Sequence, residues 1–244
     1  MNRKIYFIFA LINFIFMIFI IGWLLYLSYR SFNKIDSSDI YKMSIDSIVE
    51  IKSADEDIGE SYGTGVIYDS AGYLVTNAHV VCYTLLGETY AFSNIEIRFA
   101  KTEMYQSATL IKFDTNVDLA ILKIDNDSMK FNPINFSKVE CNFGEKVFAI
   151  GNMSNYGLGI SEGVISVPEV NIKYDNKSRL VIQADIDISS GNSGGALLNE
   201  KGQIIGITTF RTKDNQGNIN YGFAYSIPIK LVIEYIMEGD LIYE

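Results

Sequence analysis

"SSGNSGGALL", Ser189–Leu198, places three serines and three glycines in its first seven residues and then turns apolar. Glycine reaches backbone conformations closed to other residues, so such a run makes a tight turn. It also lets backbone N–H groups and one hydroxyl converge on a point. The apolar residues that follow read as a short buried strand. Working outward, the same grammar repeats. "SIVEIKS", "YGTGVIYD", "YLVTNA", "IEIRFA", "ATLIKFD", "LAILKI", "KVFAIGN", "GVISVPEV", "LVIQADIDI", "QIIGITTF" and "YGFAYSIP" are short alternating or apolar runs, separated by "DSAG", "NEKG" and "DNQGN". About a dozen such strands with turns between them predict an all-β barrel or sandwich. Only "IPIKLVIEYIMEGD" has helical spacing, with Leu231, Ile233, Tyr235 and Ile236 apolar and Gly239 as a stop.

The amino-terminal end differs. Ile5–Leu27 is 23 residues with Asn13 as its one strongly polar member, long enough to cross a bilayer core of about 30 Å as a helix. Trp23, Tyr26 and Tyr29 suit the membrane–water interface, and "SYRSFNK" offers no small-x-small cleavage site. The reading is an uncleaved signal anchor over residues 5–28, with a cytoplasmic tail at 1–4 and a tether at 29–45. The β-domain follows over 46–238, with a tail at 239–244. Arg3 and Lys4 at the start bias the amino terminus to the cytoplasm, which makes the chain single-pass with its domain extracytoplasmic.

The 244 residues carry a formal charge of −9. Beyond residue 30 there are 17 basic and 29 acidic residues. So acidic a domain repels phosphate backbones, which argues against a nucleic-acid partner. Cys82 and Cys141 form no C-x-x-C pair and read as two separate, partly buried thiols, with a single bridge as the alternative. One histidine in the whole chain argues against a metal site.

A serine hydroxyl is a poor nucleophile until a base takes its proton. The chain's only imidazole is His79, in "YLVTNAHVV", where a strand ends and a short helical turn begins. An imidazole that takes and returns a proton needs its other nitrogen held by an acceptor. Asp118, directly before the apolar run "LAILKI", is the candidate, and Asp114 fits an exposed turn. Ser193 is then the nucleophile, and the N–H groups of Gly191 and Ser193 form the oxyanion hole.

"GTGVIYDSAGYLVTNAHVV", "DLAILKI", "FAIGN", "GNSGGALLNEKGQIIGI" and "YGFAYSIP", in this order over roughly residues 45–237, resemble the HtrA/Deg family of trypsin-like serine proteases. The resemblance implies a chymotrypsin-like double β-barrel with a C-terminal helix, no cofactor, and endopeptidase activity on unfolded or exposed segments of protein and peptide substrates. It often implies a homotrimer. The family commonly carries a PDZ domain after the protease, for which this chain leaves no room before Glu244. The stretch 80–94, "VVCYTLLGETYAFSN", is longer and more aromatic than the resemblance leads one to expect. Asp187, six residues before Ser193, stands where such enzymes select the side chain before the scissile bond, and a carboxylate there favours Lys or Arg. The family's preference is small or aliphatic, and strand alternation alternatively turns Asp187 to solvent. Thr208, Thr209 and Phe210 of "TTFRT" are expected in the far wall of the pocket. Two other readings share the constellation: a catalytically held-off binding or scaffold protein on this fold, and an esterase.

Overall fold

The apolar runs of the sequence become two six-stranded barrels in the computed structural model, which describes residues 3–32, 35–174, 177–213 and 219–238. The chain divides at Asp36 into two units. The first unit holds helix α1 (Arg3–Phe32), of which Arg3–Ser28 is long and apolar enough to cross a membrane. Asn13, the one strongly polar side chain within Ile5–Leu27, donates to the carbonyl of Phe9 at 2.8 Å, so the helix satisfies it internally.

The second unit begins with α2 (Ser37–Ser44), then β1 (Ile48–Asp55), β2 (Gly59–Ile67), β3 (Tyr73–Thr76), the one-turn helix α3 (Ala78–Val81), β4 (Cys82–Leu85) and β5 (Glu88–Ala91). β6 (Asn94–Phe99), β7 (Gln106–Asp114) and β8 (Leu119–Ile124) complete the first barrel, in the order β1-β2-β3-β8-β7-β6. The second barrel contains β9 (Lys146–Asn152), β10 (Leu158–Tyr174), β11 (Lys177–Asp185), β12 (Ala196–Leu198), β13 (Ile204–Lys213) and β14 (Ile219–Pro228), ordered β10-β11-β14-β13-β12-β9. Helix α4 (Ile229–Met237) follows. The tail expected at 239–244 lies outside the described residues, as do residues 1 and 2.

The uninterrupted apolar runs have a physical reason. In β9, Val147 and Ala149 face the interior of the second barrel, while Phe148 and Ile150 face the seam between barrels. β8 does the same in the first barrel, with Ala120 and Leu122 inward and Leu119 and Ile121 in the seam. Strands buried on both faces lose the apolar–polar alternation of a half-exposed strand. The seam also takes Ile40 of α2 and Val232 of α4, both fully buried. Residues 37–44, read from sequence as tether, are therefore a helix docked on the domain. The long stretch after His79 is a two-stranded hairpin of its own, β4 with β5. Tyr83 stacks on Tyr90 at 5.8 Å and packs against Phe92 at 5.1 Å, which accounts for its aromatic content.

Candidate active site

His79 enters the cleft between the barrels because β3 stops at Thr76 and α3 begins one residue later. Asn77, fully buried, donates its amide to the carbonyl of Asp118 at 2.9 Å and ties that strand end to the start of β8. Asp118 itself has φ +61°, a left-handed backbone that non-glycine residues adopt rarely. Its carboxylate is saturated. Oδ2 accepts from His79 Nδ1 at 2.9 Å and from Thr209 Oγ1 at 2.8 Å. Oδ1 accepts from His79 Nδ1 and from the His79 backbone N–H, both at 3.1 Å. Burial pushes the Asp118 carboxyl up. The hydrogen bond and charge of His79, with the bonds from Thr209 and the His79 backbone, more than offset this and hold its pKa below the ordinary carboxylate value. An acceptor at Nδ1 places the proton there and leaves Nε2 as a lone pair on the cleft side.

The loop 189–195 is held by its carbonyls. Ser189 O accepts from Asn192 N at 3.1 Å, and Ser190 O accepts from Ser154 N at 2.8 Å. Gly191 O accepts from Thr64 Oγ1 at 2.7 Å. Asn192 O accepts from Thr208 Oγ1 at 2.5 Å, and Ser193 O accepts from Thr64 N at 2.9 Å. A trans peptide points its N–H opposite to its carbonyl, so the N–H groups of Gly191 and Ser193 turn the other way, and neither finds an acceptor among the described residues. Gly191 sits at φ +91°, and a Cβ there would lie 2.1 Å from the Asn152 carbonyl oxygen, so only glycine fits. Gly194, at φ +83°, would meet Thr64 O at 2.1 Å. The Ser193 hydroxyl donates to the carbonyl of Thr209 at 2.9 Å, and no hydrogen bond joins it to His79 among the described residues.

The cleft, about 750 Å³, brings together His79, Asp118 and Ser193, with Ile188–Ser190 and Thr209–Arg211 as its walls. Of the residues expected in the pocket, Thr209 and Phe210 line it. Phe210 stacks on Tyr174 with centroids 3.8 Å apart. Thr208 is buried behind the wall, where its hydroxyl braces the loop 189–195. Asp187 is placed elsewhere: its side chain is 74% exposed, 3.7 Å from Arg211, and does not line the cleft. Both cysteines are free, and burial raises each thiol to about 11.

Sequence reasoning missed three contributors. Thr64 joins the two barrels: besides the bonds to the loop 189–195, its Oγ1 accepts from Asn152 N at 2.8 Å. A small polar residue between two glycines in "YGTGVI" was the available signal. Thr209 holds the Asp118 carboxylate, where a pocket-wall role was expected. Arg179 places a guanidinium 3.6 Å from Asp118 Oδ2, and nothing in "KSRLVI" marks it.

Two closed barrels with this cleft between them define a chymotrypsin-like architecture. Residues 63–207 match the trypsin-like peptidase domain family, and the chain belongs to it. Within that family it is HtrA-like. It is 32% identical over 194 residues to the serine endoprotease DegS of Haemophilus influenzae, covering 79% of this chain and 54% of that protein. It is 31% identical over 193 residues to the chloroplastic protease Do-like 5 of Arabidopsis thaliana, covering 75% and 58%. The chain thus spans little more than half the length of these relatives. A solved structure of the HtrA-type protease AlgW with a tripeptide superposes with a TM-score of 0.71 at 26% identity, covering 83% of this chain and 62% of that one.

Proposed function

We propose that this chain is a membrane-anchored serine endopeptidase that hydrolyses peptide bonds in unfolded or exposed protein segments. The observation that carries the reading is the His79–Asp118 pair, 2.9 Å apart, opening on the same cleft as Ser193, with the Gly191 and Ser193 N–H groups finding no acceptor among the described residues. In this mechanism His79 Nε2 takes the Ser193 hydroxyl proton as Oγ attacks the substrate carbonyl carbon. The N–H groups of Gly191 and Ser193 hold the oxyanion, and Asp118 orients the imidazolium that forms. His79 then gives its proton to the leaving amine, and water, activated by the same imidazole, releases the acyl group from Ser193. The full chain in detergent should digest casein, and Ser193→Ala should not. Equal digestion by the two would defeat the reading.

A second reading, a held-off binding protein on the same fold, is favoured by one observation: the Ser193 hydroxyl points to Thr209 O rather than to His79. The length and hydropathy of Arg3–Ser28 support an anchor, and the basic residues before it support an extracytoplasmic domain. Protease added to spheroplasts should digest the domain and spare an N-terminal tag. The HtrA relationship makes a homotrimer the assembly to look for by light scattering.

A further inference from the structure

The charge lining the cleft is opposite to that of the chain. The protein carries −9 overall, yet two arginines, Arg179 and Arg211, line the cleft against a single carboxylate, Asp118. That carboxylate is already saturated by His79 and Thr209. Arg179 is half-buried, gives one N–H to Thr115 O at 3.3 Å, and sets Nη1 3.6 Å from Asp118 Oδ2, with Nε and Nη1 making no hydrogen bond among the described residues. Asp118 is thus the counter-charge of Arg179, which leaves Arg211 as the cleft's second cation. Arg211 is more accessible, on the wall beside Phe210. Its one counter-charge among the described residues is Asp187, 3.7 Å away and 74% exposed. A pair that long, with one partner mostly in water, holds the guanidinium weakly. The carboxylate that sequence alone suggests for the pocket is thus turned outward, and a cation stands in the wall.

The position this cation would read follows from the geometry. The substrate carbonyl must present its oxygen to Gly191 and Ser193 and its carbon to Ser193 Oγ. His79, across the cleft, serves the leaving amine. The side chain of the residue that owns the carbonyl then projects between Ile188–Ser190 and Thr209–Arg211, the two segments flanking Ser193. We propose, resting on the endopeptidase reading, that the cleft selects substrates with an acidic side chain immediately before the scissile bond, its carboxylate received by Arg211. Arg179, paired with Asp118, offsets that carboxylate and leaves the wall's net charge to Arg211. Ser190, on the opposite wall, supplies a hydroxyl suited to the same carboxylate, whereas that of Ser189 donates to Asn192 Oδ1 at 3.2 Å.

The test compares isosteric peptides with Glu or Gln, and with Asp or Asn, before the scissile bond, using the full chain in detergent. Charge-assisted hydrogen bonds exceed neutral ones enough that Glu should be favoured over Gln by about tenfold or more in kcat/KM. Arg211→Ser should collapse the Glu/Gln ratio to near one, Arg211→Lys should keep part of it, and Arg211→Glu should favour Lys over Gln. A merely structural arginine would not move these ratios. The same peptides are titrated onto Ser193→Ala by fluorescence anisotropy, which reads the preference without turnover. Glu and Gln bound and cleaved alike, or a Glu preference untouched by Arg211→Ser, would overturn the proposal. Retained Glu-over-Gln binding with no Ser193-dependent hydrolysis would instead count against the endopeptidase reading and leave the acidic specificity standing.

Discussion

Replacing Thr64 with valine removes one hydroxyl and keeps the side-chain shape. In the structure that hydroxyl donates to Gly191 O at 2.7 Å and accepts from Asn152 N at 2.8 Å, and the residue is fully buried. The substitution leaves a buried carbonyl and a buried N–H without partners, at about 1–3 kcal/mol each before relaxation. A net loss of about 3 kcal/mol would lower Tm by roughly 6–12 °C in a domain of this size. The second consequence is catalytic. The Gly191 carbonyl would lose its tether, and the Gly191–Asn192 peptide it belongs to lies between the two peptides that carry the Gly191 and Ser193 N–H groups, so both would loosen. Loss of an oxyanion donor outright lowers kcat by about a hundred- to a thousandfold, so a loosened one should lower it by at least about tenfold. Hydrolysis of a fluorogenic peptide gives kcat, and circular-dichroism melting gives Tm, both on the full chain in detergent. Thr64→Ser keeps both hydrogen bonds and should keep most of both quantities. An unchanged Tm in Thr64→Val would refute the hydrogen bonds. A lowered Tm with kcat within twofold of wild type would refute their role in aiming the loop.

Three other outcomes are expected. Ile40→Ala should destabilise the domain by about 2–5 kcal/mol in urea titrations, because Ile40 fills the seam between barrels; a change near zero would return residues 37–44 to the status of a tether. The Asp118 carboxyl lies below its ordinary value in the fold, so its ionised form stabilises the domain above the unfolded pKa of about 3.9, and the contribution is lost as pH falls through the lowered value. The stability gap between wild type and Asp118→Asn should therefore be widest above that unfolded value and shrink in more acidic urea titrations, whereas a gap independent of pH would contradict the ionised carboxylate. Both thiols, raised to about 11, should react slowly with a disulfide reagent at pH 8 and rapidly, two per chain, after denaturation.

The strands were legible because the runs "LAILKI" and "KVFAI" are short, apolar and punctuated. What periodicity could not say is that these runs are apolar on both faces because each serves a barrel interior and the seam together. His79, Asp118 and Ser193 were legible because each stands at a break in the strand pattern, where a side chain has no packing reason to be polar. Thr64 and Thr209 were not, since a threonine in a strand is ordinary and its partners lie 127 and 91 residues away in sequence. Asp187 was weighed from its distance to Ser193, but side-chain direction depends on how β11 ends, and the strand alternation that pointed to solvent describes its exposed position. Residues 37–44 read as polar tether because one apolar side chain, Ile40, does most of the docking.

The account stands most directly on the reactivity of one hydroxyl. A serine whose proton a neighbouring base takes attacks the phosphorus of a fluorophosphonate probe and expels fluoride, and peptide mass spectrometry locates the adduct. The account predicts a single adduct on Ser193 of the full chain, formed at neutral pH, absent in Ser193→Ala and reduced to a few per cent or less in His79→Ala. An unlabelled Ser193 under conditions where casein is digested, or labelling that survives His79→Ala, would contradict it.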